Sequence, residues 1–135
     1  MNEASIANQA VFWYNGTEPN MLIVTPENKI SLSELREMSK RMFGNLVKAV
    51  VDMEKEVMAI DGELHADEQA LLLEQGSKQQ NIWGINLYPD KTGDDFVEFD
   101  SLINIRPLQK NRSRGVENEE IRKKILEIVN NLIKK

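Results

Sequence analysis

The side chains able to do chemistry gather between His65 and Arg114, a stretch that holds the only His of the chain. His65 stands in the run His65-Ala66-Asp67-Glu68. A His beside carboxylates can serve as a general base or join a metal site. Metal centres ordinarily take three or four ligands, and the sequence offers no second His and no Cys. A hard Mg²⁺ or Mn²⁺ ion could draw on Asp61, Glu63, Asp67, Glu68 and Asp100, but their spacing follows no known loop pattern. The simpler reading is a helix start with dipole-favoured acids and a hydrogen-bonded His, so no metal and no cofactor is expected.

A second group comprises Asn86, Glu98, Asp100, Asn104 and Arg106, which strand periodicity puts on one polar face of a hairpin. Paired carboxylates can divide acid and base roles, as in glycoside hydrolysis. The solvated face of an antiparallel sheet is also normally polar, without any function attached. A third group joins Arg106 to the loop Asn111-Arg112-Ser113-Arg114-Gly115. Guanidinium forks beside the free N–H groups of a helix start make an anion site. Glu117, Glu119 and Glu120 compete for the same donors.

The elements that must position these groups follow from periodicity and turn signals. Met21 opens a first strand, Leu22 to Thr25. Ser31-Leu32-Ser33-Glu34 is a capping box, with Ile30 and Leu35 at the staple positions, and it starts a helix over 32–43 that Gly44 ends. The β-branched residues of 46–60 predict a hairpin, strands 46–53 and 57–60, a single helix being the alternative. Asp61-Gly62 is a turn. A helix over 66–75 follows, closed by Gly76, with Leu71, Leu72 and Leu73 implying extensive burial.

A second hairpin then pairs 82–88 with 96–106 around the turn 89–95. If Tyr88 pairs with Phe96, Asn86 lies opposite Glu98 and Gly84 opposite Asp100, leaving open space above that carboxylate. Trp83, Ile85 and Leu87 form the apolar face, extended by Val97, Phe99, Ile103 and Ile105. Pro107 ends the strand. The last helix, 117–133, buries Ile121, Ile125, Ile128, Val129 and Leu132. The fold expected is α+β, a single domain of about five mostly antiparallel strands and three helices in the order β-α-β-β-α-β-β-α, the helices on one face.

At 135 residues, 41% hydrophobic and 29% charged, the chain suits one globular domain. Residues 1–20 differ in composition, with one aromatic cluster at Phe12-Trp13-Tyr14, and are expected to be an extension ahead of a domain over 21–135. An edge strand at 10–14 is the alternative. The net charge of −5 argues against broad binding to nucleic acid or anionic membranes. No apolar run reaches the roughly 18 residues of a membrane helix, and no secretory signal is evident. The absence of Cys fits a reducing cytoplasm. No phosphate-binding loop, dinucleotide fingerprint, nucleophile elbow or zinc pattern is present.

Val47-Lys-Ala-Val-Val-Asp52, Glu63-Leu-His-Ala-Asp67, Gly76-Ser77, Trp83-Gly-Ile-Asn86 and Asp100-Ser-Leu-Ile-Asn-Ile-Arg-Pro107 together resemble a family of small archaeal and bacterial proteins grouped as a domain of unknown function. The likeness covers roughly Met21 to Ile133. It implies that the central stretch is a family signature, and it supplies no activity, cofactor or catalytic residue.

Two functions follow as expectations. One is a binding or regulatory module that holds an anionic small molecule or protein partner, using Arg106, Arg112 and Arg114 or the hairpin residues Asn86 and Asn104. The other is a small hydrolase-like enzyme using His65, Asp100 and Arg106.

Overall fold

The computed structural model describes residues 20–134, so the expected extension over 1–20, all but its last residue, and the edge strand at 10–14 lie outside the described residues. Strand β1 (Leu22–Val24) leads through β2 (Ile30–Ser31) into helix α1 (Leu32–Met42). The capping box forms as expected: Ser31 Oγ accepts the Glu34 N–H at 3.0 Å, and Glu34 Oε1 accepts the Ser31 N–H at 2.9 Å. These bonds hold the Glu34 carboxyl below its usual range. Gly44, at φ +90°, turns the chain out of the helix.

Strands β3 (Val47–Asp52) and β4 (Val57–Ile60) make the first hairpin, and helix α2 (His65–Glu74) follows. Helix α2 ends in a left-handed turn at Gly76, where the Ser77 N–H donates to Leu72 and the Gly76 N–H to Leu73. Strand β5 (Ile82–Leu87), strand β6 (Val97–Glu98), helix α3 (Glu119–Leu132) and strand β7 (Ile133–Lys134) complete the chain. The main sheet is antiparallel with order β1-β4-β3-β5-β6, and β2 pairs with β7 in parallel. The fold is α+β, with three helices among the described residues.

Alternation along β3, β4 and β5 splits the core in two. Val47, Ala49, Val51, Met58, Ile60, Trp83, Ile85 and Leu87 pack against α1 and α3. Val50, Ala59 and Ile82 turn the other way, onto Leu71 and Leu72 of α2 and onto Ile103. The helices therefore cover both faces of the sheet rather than one. Of the three consecutive Leu residues only Leu72 is fully buried, and Leu73 is exposed. A helix lying on one side of a sheet can hide only one stripe.

The second hairpin also departs from expectation. Its register holds, with Asn86 opposite Glu98 and the Tyr88 N–H donating to Phe96 at 2.9 Å. Yet β6 stops at Glu98 instead of running to Arg106. The cause is Gly84. Ser101 fills the room its missing side chain leaves, so that a Cβ on Gly84 would lie 2.6 Å from Ser101 Cβ. The chain climbs over the sheet there, and a single turn of 3₁₀-helix at Leu102–Asn104 covers the second face. No open space remains above Asp100, Gly84 and Asn86 are buried rather than solvated, and Ile105 is exposed.

Candidate functional site

The climbing segment is held by side-chain amides. Asn104, fully buried, accepts the Gly84 N–H on Oδ1 at 2.8 Å and donates from Nδ2 to the Gly84 carbonyl at 3.0 Å. The same Nδ2 donates to the Arg114 carbonyl at 2.9 Å. Asn111 organises the loop beyond it, donating to the carbonyls of Asn104 (2.7 Å) and Gly115 (2.8 Å) and accepting the Glu117 N–H at 2.8 Å. Nothing in local periodicity marked Asn111, because its role depends on carbonyls brought together by the fold.

Arg106 is buried, and its guanidinium serves the backbone. It donates to the carbonyls of Ile103 and Gln79, each at 3.0 Å, and to that of Ile82, while stacking 4.4 Å from the Trp83 ring centroid. Burial pulls its pKa below the usual arginine value. Arg114 Nε donates to Asp100 Oδ1 at 2.6 Å. Glu117 Oε2 accepts the N–H groups of Arg112 (2.8 Å) and Ser113 (2.9 Å), which keeps its carboxyl below the usual range. The backbone donors expected to receive an anion thus hold a carboxylate of the chain itself. The Arg112 guanidinium makes no hydrogen bond or ion pair among the described residues.

His65, Asn86, Glu98 and Asp100 do converge, at the edge where α2 begins. His65 is buried and its Nε2–H donates to the Ile85 carbonyl at 2.8 Å. Burial lowers the imidazole pKa; Lys48 pushes the same way, while Ile85, Asp100 and Asn86 oppose. Asn86 Nδ2 donates to Glu98 Oε1 at 2.9 Å and to the Asp100 carbonyl at 3.3 Å, and its buried Oδ1 finds no hydrogen-bond partner. Tyr88 donates to the same Glu98 oxygen at 2.9 Å; burial, then Glu98, raises its pKa. Arg106 stays apart from this cluster, beyond the far end of β5. Glu68 Oε2 accepts the Gly62 N–H at 2.9 Å and Asp61 pairs with Arg41 at 2.8 Å, so both serve the turn before α2. Burial raises the Asp61 pKa. Among the described residues no group of three or more His, Asp or Glu converges to hold a metal ion.

A well-formed concavity lies elsewhere, over the first face at its β6 end. A cavity of about 690 Å³ opens between α3 and the 91–99 segment, with Phe96, Val97, Phe99, Leu126 and Val129 as its apolar wall. Lys91 and Arg122 also line it, with Asp94 and Asn130. In the sequence this place is marked by Leu126, an apolar residue beside the α3 stripe of Ile125, Ile128, Val129 and Leu132.

The model of one protein family matches residues 22–132, from the first residue of β1 to the last of α3. The chain belongs to the DUF5674 family, described as proteins of unknown function. For this DUF5674 member no curated protein and no solved structure gives a significant match. The matched region of the DUF5674 chain takes in the Asn104–Gly84 clamp, the His65 cluster and the helix that walls the cavity. Among the described residues no helix is long and apolar enough to cross a membrane.

Proposed function

We propose that this chain is a small-molecule binding module, in the cytoplasm, whose ligand occupies the cavity beside α3. The observation that carries this reading is the cavity itself. A concave, mainly apolar site of about 690 Å³ with a few polar groups in its lining has the size and make-up of a metabolite pocket. The hydrolase reading has weaker support. His65 is buried with one ring nitrogen on the Ile85 carbonyl, and the Arg106 guanidinium is engaged by three carbonyls. A binding site in the Arg112–Arg114 loop is the second reading, favoured by the Arg112 guanidinium, which makes no hydrogen bond among the described residues.

A thermal-shift screen of the full chain tests this, because a ligand that binds only the native state raises the melting temperature. Leu126→Trp, which fills the cavity, is expected to abolish the shift, and Arg112→Ala/Arg114→Ala to leave it intact. The opposite pattern would move the site to the loop.

A further inference from the structure

We infer that the ligand of the cavity is a monoanionic amphipath: a carboxylate on an apolar body, with its head between Lys91 and Arg122. This rests on the cavity reading and adds the ligand's chemistry. The walls supply apolar surface from Phe96, Phe99, Leu126 and Val129, which a hydrocarbon or aromatic body would cover. The lining also supplies two cations, Lys91 and Arg122. Neither Lys91 nor Arg122 has an ion pair among the described residues, in contrast to Arg36, Arg41, Arg114 and Lys124.

Both cations are held in place without being neutralised. Lys91 Nζ lies 4.5 Å from the centroid of the Tyr88 ring, a contact that leaves its N–H donors available. Arg122 donates one Nη1 bond to the Val116 carbonyl, which anchors the guanidinium and leaves Nε and Nη2 for a carboxylate fork. Asp94 lines the same cavity without pairing to either. Two cations against one carboxylate leave a single positive charge, which matches a carboxylate and disfavours a phosphate dianion.

The test uses the full chain and a set of ligands with a common tail: decanoate, decanol and decyl phosphate, each competing with the fluorescent probe anilinonaphthalene sulfonate. Decanoate is expected to bind at least roughly ten-fold tighter than decanol, the effect of charge-assisted hydrogen bonds. Lys91→Gln and Arg122→Met should each remove most of that preference, weakening decanoate far more than decanol. Asp94→Asn should raise the affinity for decyl phosphate more than for decanoate. Equal binding of decanoate and decanol, unmoved by Lys91→Gln, would overturn the anionic head while leaving the cavity reading intact. Binding of all three that survives Leu126→Trp would overturn the cavity reading itself. Lys91 is exposed, so its substitution tests the head group even if Arg122→Met unfolds the chain.

Discussion

The side-chain amide of Asn104 faces the peptide of Gly84 and closes both of its backbone groups, the N–H at 2.8 Å and the carbonyl at 3.0 Å. A side chain here does what a neighbouring strand does elsewhere in the sheet. It lets β6 end at Glu98 while the inner edge of β5 stays satisfied.

Asn104→Ala should therefore cost much more than an ordinary polar deletion. It leaves a buried N–H and a buried carbonyl on Gly84 unpaired, at about 1–3 kcal/mol each. Gly84→Ala should destabilise as well, by about 1–3 kcal/mol, because its Cβ meets Ser101 at 2.6 Å. Chemical denaturation measures both, and a loss under about 1 kcal/mol for Asn104→Ala would show that water replaces the amide.

Trp83 packs in the first core at 2% exposure and carries the Arg106 guanidinium on its ring. Trp83→Ala should cost about 3–5 kcal/mol, the usual range for a buried aromatic. Arg106→Lys should also be costly, since an ammonium cannot reproduce a planar fork to three separated carbonyls. If Arg106→Lys matches wild type in denaturant midpoint, the fork contributes nothing to the fold.

Burial depresses the His65 pKa below its ordinary value of 6.5. As pH falls, the unfolded chain takes up this proton first, so stability is full above about pH 6.5 and declines below it until the folded ring also protonates. His65→Asn should flatten that limb. Denaturant midpoints across the acid range test this by the difference between the two chains, and parallel curves would exclude His65 as the cause.

Glu117 fills the backbone donors of Arg112 and Ser113, so phosphate at millimolar concentration should bind the wild-type loop weakly or not at all. Glu117→Ala frees the donors beside the Arg112 guanidinium and should create salt-sensitive phosphate binding, visible by isothermal titration. Strong phosphate binding by wild type, lost in Arg112→Ala/Arg114→Ala, would instead support the loop as the ligand site.

Local rules reached the elements whose causes are local. The Ser31–Glu34 box, the left-handed exits at Gly44 and Gly76, and the α3 stripe of Ile125, Ile128, Val129 and Leu132 all depend on residues within a few positions of one another. The Asn86–Glu98 register followed from one turn and strand alternation. Tertiary structure alone decided which polar residues were available. Arg106, Asn104 and Asn111 read as polar residues of a face and a loop, yet each is buried against a backbone carbonyl well away in the chain, 27, 20 and 7 residues off respectively. Ile133 leaves the helical pattern for a parallel pairing with Ile30. The cavity beside α3 exists because Leu126, Phe96 and Phe99 meet around a space nothing in the described chain fills. Such a space is a property of packing between distant segments, and no pattern along a single one encodes it.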